Sequence, residues 1–330
     1  MVNFKNQIRS FFKKKNASYS SGGQLHIPAV DIMIEGRKKT YEVTMRIISE
    51  EPLQFEVENI NPPLSDREDV SSTDAYPSQA VSFTCNICGK KNKKVPVTII
   101  RDREARSCKY CGSSLRMRSV IHALSHSLFD KSLSLPDFPK NKSIRGMGMS
   151  DWNGYAIPLA KKLGYTNTFY HTEPHLNIMD INHEQNNRFD FIISSDVFEH
   201  IPSPVSIAFR NTLKLLKPGG ALILTVPFTP SGQTLEHFPN LHDYRIEERN
   251  GSRVLVNLTA TNEEEIFNDL IFHGGDGFTL EMRMFSESGL MDELTTAGFT
   301  DIHVQRENFP ESGIIWPITW AVPIIAKKPL

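Results

Sequence analysis

Residues 189–228 constrain the fold of this chain more than any other segment. The run FDFIISSDVFEHIPSPVSIAFRNTLKLLKPGGALILTVPF contains a short apolar strand at Phe191-Ile192-Ile193 and a second apolar strand at 221–226. Between them, apolar side chains recur at helical spacing, and Pro218-Gly219-Gly220 ends the helix. The second strand does not alternate with polar residues, which is typical of parallel strands covered by helices on both faces. The segment therefore predicts an α/β protein.

Polar side chains follow the first of these strands. Ser195 and Asp196 emerge at its carboxyl end, where open α/β sheets bind ligands. Ser203 followed by Pro204 predicts the start of the next helix. We therefore expect a ligand site beside Asp196.

Two elements of this segment, DVFEHIP at 196–202 and LLKPGG at 215–220, resemble the corresponding elements of class I S-adenosylmethionine-dependent methyltransferases. The resemblance extends more loosely over residues 140–330. It implies a Rossmann-like sheet that is mostly parallel, with seven strands of which the last is antiparallel. It also implies S-adenosylmethionine as the cofactor.

The same resemblance implies which residues hold that cofactor. Gly146-Met147-Gly148 would form the loop after the first strand, because a backbone without Cβ atoms can approach a ligand closely. Glu173, after the second strand, would accept hydrogen bonds from the ribose hydroxyls. The other expected contacts are Asp180 and Ile181 beside the adenine, and Ser195 and Asp196 at the fourth strand.

Methyl transfer needs an in-line approach of the acceptor, and it needs a base if the acceptor is a hydroxyl. His200 follows the fourth strand and is the candidate base, with a helix-capping or core role as the alternative. The connection at about 229–285 is far longer than usual, which predicts a lid or an acceptor pocket. Its candidate acceptor contacts are Asp243, Tyr244 and His273.

All four cysteines occur in two CxxC pairs, each followed by glycine: Cys85, Cys88, Cys108 and Cys111. This spacing predicts a closed four-thiolate Zn²⁺ site with a structural role. The alternative is a pair of disulfide bonds, which a reducing compartment would not favour. The surrounding basic residues suit phosphate groups of a nucleic acid or form an ordinary solvated face. They are Lys90, Lys91, Lys93, Lys94, Arg101, Arg103, Arg106, Arg116 and Arg118.

Composition divides the chain into four parts: residues 1–60 with a basic helix and a small β-rich region, a linker at 61–81, the zinc ribbon at 82–118, and the methyltransferase domain at 119–330. The first 20 residues carry five basic side chains and no acidic one. They fit either a helix on an anionic membrane or a terminus docked on the protein. The formal net charge of −1 and the lack of a spanning apolar run or signal peptide predict a cytoplasmic protein.

The leading hypothesis is methyl transfer from S-adenosylmethionine to a hydroxyl of a saccharide or similar small metabolite. The saccharide part rests on a resemblance to methyltransferases of glycan assembly, which share DVFEHIP, TVPF and an extended segment before AGF. One alternative is an RNA methyltransferase that grips its substrate with the basic ribbon. Another is a non-catalytic scaffold or binding protein on the same fold, suggested by Arg145, which stands where the family has an acidic residue.

Overall fold

The computed structural model describes residues 24–34, 37–49, 54–61 and 80–330, apart from positions 250, 269, 274–278 and 318–320. The chain divides into two compact units, Met1–Tyr76 and Pro77–Leu330. Each unit has its own sheets.

The first unit contains an antiparallel three-stranded sheet within the region predicted to be β-rich. Its strands are β1 (Gln24–Ile34), β2 (Arg37–Ser49) and β3 (Gln54–Asn61), with β2 in the centre. The predicted basic helix at 1–20 lies outside the described residues, and so do positions 62–79 of the predicted linker.

The second unit begins with a two-stranded ribbon that leads into a long helix. Its elements are β4 (Ala80–Thr84), β5 (Lys91–Pro96), α1 (Val97–Arg101) and α2 (Leu115–Phe129). The Ser114 hydroxyl caps α2 by accepting a hydrogen bond from the Met117 amide. Phe83 of the ribbon is buried in the same apolar cluster as Val120 and Leu124 of α2. The ribbon and the helix therefore share one core.

Four strands and two helices follow along the chain. The elements are β6 (Asn141–Met149), α3 (Asn153–Lys162), β7 (Leu163–Thr168), β8 (Phe189–Ser195), α4 (Ser206–Leu215) and β9 (Leu216–Thr225). The four strands are parallel, and their register aligns the carboxyl ends. Met149 lies opposite Thr168 and Ser194, and Ser195 lies opposite Thr225. The segments that follow these strands therefore meet at one edge of the sheet.

The insertion after β9 is built from short strands. They are β10 (Phe228–Thr229), β11 (Leu235–Glu236), β12 (Asp243–Arg249), β13 (Ser252–Leu258), β14 (Glu264–Phe267), β15 (Phe272–His273), β16 (Thr279–Leu280) and β17 (Arg283–Ser286). The strands β12, β13 and β14 form an antiparallel sheet. The Met282 amide donates to the Glu199 carbonyl at 2.7 Å, which joins the end of the insertion to the turn after β8.

Arg283 strengthens this junction. Its side chain is fully buried, and its guanidinium donates to the carbonyls of Phe198 at 2.9 Å and Ile201 at 2.6 Å. It also pairs with Glu236 at 2.6 Å. Ser203, which the sequence predicts as a helix cap, instead donates to Glu236 at 2.6 Å, and α4 begins only at Ser206.

The chain ends with α5 (Glu287–Ala297), β18 (Thr300–Val304) and β19 (Ile324–Lys327). Strand β19 is antiparallel to both β9 and β18, which gives the sheet order β18-β19-β9-β8-β6-β7. Ile192 of β8 lies in the core cluster with α4 and α5, whereas Phe191 and Ile193 lie in the cluster with α2 and α3. The predicted Rossmann-like sheet with an antiparallel last strand is confirmed.

In the described part of the chain, this sheet has six strands and not the expected seven. The segment at Asp180 and Ile181, which corresponds to the third strand, forms a turn. The side-chain oxygen of Asn177 accepts from the Met179 amide at 3.0 Å, and that of Asn182 accepts from the Glu184 amide at 2.9 Å. These turns replace the extended conformation, and β7 becomes the edge of the sheet.

Among the described residues, no helix combines the length and the apolar character needed to cross a membrane.

Candidate functional site

The turn after β6 lies at the edge of the sheet where the carboxyl ends of the parallel strands meet, which we call the ligand edge. The predicted loop residues Gly146-Met147-Gly148 lie within β6 itself. A Cβ atom at Gly146 would lie 2.0 Å from the Phe191 ring, and one at Gly148 would lie 1.9 Å from the Tyr165 hydroxyl. Packing of these two side chains therefore requires both glycines. The turn is made by Ser150, whose φ is +58°.

Asp151, the next residue, is a buried carboxyl that the glycine pattern of this segment does not reveal. The Tyr155 hydroxyl donates to Asp151 Oδ1 at 2.8 Å, and the Tyr165 hydroxyl donates to Oδ2. Burial raises the pKa of Asp151 to about 7, an effect larger than the lowering by the two tyrosines. This carboxyl is therefore partly protonated at neutral pH.

Asp151→Asn should remove part of the pH dependence of stability. Because the pKa rises from 3.8 in the unfolded chain to about 7 in the fold, the protonated carboxyl stabilises the fold at low pH, and this contribution disappears as the pH rises through 7. Between pH 5 and pH 8 the wild type should lose roughly 2 to 3 kcal/mol of unfolding free energy relative to the variant. Urea denaturation of both proteins at pH 5 and pH 8 measures this difference in unfolding free energy. The same change with pH in both proteins would contradict the raised pKa of Asp151.

Glu173 lies in the loop after β7 and is exposed to solvent. Its carboxylate accepts a hydrogen bond from the His175 amide at 2.9 Å, which orients the side chain and leaves further acceptor positions open. Asp180 is exposed in the neighbouring turn, and Ile181 is buried beside it. Binding of ribose hydroxyls by Glu173 stays a prediction.

Asp196 is held by two arginines from the segment around the ribbon. Arg103 donates two hydrogen bonds to its carboxylate, at 2.7 and 2.8 Å, and Arg116 Nε lies 3.1 Å from Oδ2. Arg116 also donates to Ser195 Oγ at 2.7 Å. Although burial raises the pKa of Asp196, the two guanidinium groups hold it below its ordinary value. Asp196 is therefore ionised and fixed in place.

The insertion completes a cluster that we call the His–Glu cluster, made of Glu199, His200, His237, His273 and Glu281. Glu281, which is 2% exposed, lies 2.8 Å from His237 Nε2 through one oxygen and 2.8 Å from His273 Nε2 through the other. The rings of His200 and His273 are 5.5 Å apart. The structure thus brings the predicted base and one predicted acceptor contact together.

One ring nitrogen of His200 makes a hydrogen bond, and the other, Nε2, makes none with the described residues. Its Nδ1 lies 2.9 Å from the Leu280 carbonyl, which can only accept, so Nδ1 carries the proton. Burial lowers the pKa of His200, although the bond to Leu280 opposes it. The ring is therefore neutral near pH 7, and Nε2 can accept a proton.

Glu199 lies beside this nitrogen, with Oε1 3.7 Å from His200 Nε2. The side chain is 1% exposed, and neither oxygen has a hydrogen-bond partner among the described residues. Burial, with nearby Asp196, raises its pKa well above the ordinary value. Burial therefore favours the protonated form of Glu199, which lies beside His200 in the cluster.

The other two predicted acceptor contacts lie on β12. Asp243 is exposed, and Tyr244 is 37% exposed. Burial, together with the neighbouring Tyr170, raises the pKa of Tyr244. Tyr170 belongs to the loop that carries Glu173, so Tyr244 of β12 lies near that loop.

The four cysteine Sγ atoms lie within 4.8 Å of one another. The pairs Cys85–Cys111 and Cys88–Cys108 are each separated by 3.7 Å. A tetrahedron with Zn–S bonds of about 2.3 Å has S–S edges of about 3.8 Å, whereas a disulfide bond measures about 2.05 Å. The site therefore fits a zinc ion, and the four cysteines are free of disulfides.

Comparison with known proteins places the fold in context. A search of the curated proteins found no match. One matching solved structure is the 1,6-didemethyltoxoflavin-N1-methyltransferase of Burkholderia thailandensis, at 14% identity and a TM-score of 0.37, over 66% of this chain and 79% of that chain. Another is an S-adenosylmethionine-bound amino pentose methyltransferase of Micromonospora echinaspora, at 13% identity and a TM-score of 0.36, over 66% of this chain and 92% of that one.

A family model described as "Methyltransferase domain" matches residues 138–304, just over half of the chain. The matched residues contain β6 to β9 and the ligand edge that these strands form. The chain therefore belongs to the methyltransferase-domain family and is a class I S-adenosylmethionine-dependent methyltransferase.

Proposed function

We propose that the enzyme transfers the methyl group of S-adenosylmethionine to a hydroxyl of a saccharide or a similar small metabolite. The observation that carries this proposal is the neutral His200, whose Nδ1 donates to the Leu280 carbonyl and whose Nε2 makes no hydrogen bond within the described part of the chain. A hydroxyl acceptor needs such a base. His273, Asp243 and Tyr244 supply hydrogen-bonding groups that suit the hydroxyls of a sugar.

When bound, S-adenosylmethionine supplies an electrophilic methyl carbon. Glu173 would accept the ribose hydroxyls, and Ser195 and Asp196 would close the cofactor pocket from the side of β8. His200 Nε2 would accept the proton of the acceptor hydroxyl, whose oxygen would gain the methyl group as the methyl–sulfur bond breaks. The products would be a methyl ether and S-adenosylhomocysteine. The protonated imidazole then releases its proton to solvent, which restores the base.

We also propose that Cys85, Cys88, Cys108 and Cys111 hold a structural Zn²⁺ ion. Four thiolates fill a tetrahedral site, so the ion has no open position for chemistry and stabilises the ribbon. Native mass spectrometry should find one zinc per chain, and Cys108→Ser should lose most of it. Retention of a full zinc in this variant would contradict the ligand set.

An RNA acceptor has weaker support. Four of the basic side chains around the ribbon are buried or bind other groups of the protein. Arg101 donates to the Pro317 carbonyl, Arg118 is fully buried, and Arg103 and Arg116 bind the edge of β8. Those left exposed are Lys90, Lys91, Lys93, Lys94 and Arg106. These five could still contact phosphates.

The proposed location is the cytoplasm, because four free thiols in a metal site suit a reducing compartment. Residues 1–20, with their basic side chains, are a proposed peripheral membrane contact.

The acceptor class is tested by incubating the enzyme with methyl-labelled S-adenosylmethionine and separate panels of nucleotide sugars, glycans and RNA. The proposal expects label in a saccharide, with the methyl group on oxygen by NMR. Label in RNA alone would favour the RNA alternative. Cofactor binding without transfer to any panel would favour the scaffold alternative.

A further inference from the structure

Two arginines connect the cysteine site to the cofactor edge. Arg103 lies five residues before Cys108, and Arg116 lies five residues after Cys111. Both side chains nevertheless reach β8, where they bind Asp196 and Ser195. The position of these guanidinium groups therefore depends on the fold of the segment that the cysteines close.

The two arginines also bind each other's segments. The Arg116 amide donates to the Arg103 carbonyl at 3.2 Å. Glu104 pairs with Arg103 at 2.6 Å and with Arg116 at 2.7 Å. We call Arg103, Glu104 and Arg116 the arginine clamp. Its arginine side chains are 21% and 16% exposed, so they are largely shielded from competing water.

Asp196 depends on this clamp. Its φ of +55° is unusual for a residue other than glycine, and its carboxylate lies near the buried acid Glu199. Thr225 donates one further hydrogen bond at 3.0 Å. A buried carboxylate that loses its cationic partners is strongly destabilising. Without the clamp, Asp196 and the adjoining Ser195 would therefore leave their present positions.

We propose that Arg103 and Arg116 are positioning residues that couple cofactor binding to the metal held by Cys85, Cys88, Cys108 and Cys111. An ordered cysteine site holds the clamp, the clamp holds Ser195 and Asp196, and these residues form part of the cofactor pocket. Since coupling between two binding sites is reciprocal, the cofactor must tighten zinc binding by the same factor by which zinc tightens cofactor binding. This inference rests on the proposed zinc ligands and cofactor contacts.

The test measures zinc affinity by chelator competition, with and without saturating S-adenosylhomocysteine. In the wild type, zinc should bind at least about tenfold more tightly when S-adenosylhomocysteine is present, within the usual range of such coupling. In Arg103→Met this factor should fall to about one. Arg106→Ala, an exposed arginine of the same segment, should keep the wild-type factor.

Glu104→Gln provides a milder variant that we expect to stay folded, because Glu104 is 50% exposed and glutamine has nearly the same shape. It should reduce the coupling factor to an intermediate value while the zinc content stays at one per chain. Equal zinc affinities with and without S-adenosylhomocysteine in the wild type would overturn the inference. So would undiminished coupling in both variants. Calorimetric binding of S-adenosylhomocysteine to the zinc-loaded wild type tests the cofactor site separately.

Discussion

Replacement of Arg283 by methionine should lower the free energy of unfolding by about 3 to 5 kcal/mol. The guanidinium has no exposed surface, and methionine would remove its hydrogen bonds to the carbonyls of Phe198 and Ile201 and the cationic partner of the Glu236 carboxylate. These contacts join the insertion to the turn that carries His200. The variant should therefore also lose acceptor methylation under conditions where it remains folded.

Urea denaturation followed by circular dichroism measures the loss in Arg283→Met. Arg245→Met is the matched control, because Arg245 lies on β12 of the same insertion and also pairs with a glutamate, Glu247, but is 60% exposed. A surface ion pair is worth at most about 1 kcal/mol. The contacts indicate that Arg283 supports the insertion. Similar losses of stability in the two variants would contradict this.

His200→Ala should lower kcat by a factor of about 100 to 10,000, the usual contribution of a general base. The affinity for S-adenosylmethionine should stay close to that of the wild type, because the assigned role of His200 concerns the acceptor proton. Only the neutral imidazole can accept that proton, so the wild-type rate should fall as the pH drops through the pKa of His200. Since burial lowers this pKa, the fall should begin below the ordinary histidine value of about 6.5.

The matched control is His303→Ala, since His303 is 62% exposed and pairs with Asp301 away from the cluster. Its rate and pH profile should match the wild type. A kcat for His200→Ala within about threefold of the wild type would assign His200 a structural role and remove the main support for a hydroxyl acceptor.

Local patterns in the sequence predicted the central part of the fold. The unbroken apolar runs of β8 and β9 require cover on both faces, which α2 and α3 provide on one side and α4 and α5 on the other. The two CxxC pairs predicted a four-sulfur site because the ligand spacing itself encodes the geometry. In both cases the signal lies within a few adjacent residues.

The parts that sequence reasoning missed depend on contacts between distant residues. Arg283 contacts Phe198 across 85 positions, and Arg103 contacts Asp196 across 93. No spacing rule links such pairs, so the sequence does not predict these contacts. The predicted third strand does not form, for a local reason. Asparagine side chains at 177 and 182 bind backbone amides that would otherwise bond to a neighbouring strand.

The central claim is that the edge formed by β6, β7 and β8 binds S-adenosylmethionine. Calorimetric titration of the zinc-loaded protein with S-adenosylmethionine and S-adenosylhomocysteine, in the wild type and in Glu173→Ala, tests it most directly. The account predicts micromolar binding of both ligands to the wild type and a loss of about 100-fold in the variant, the expected effect of two charge-assisted hydrogen bonds. No binding to the wild type would contradict the account. Unchanged affinity in Glu173→Ala would contradict the assigned ribose contact.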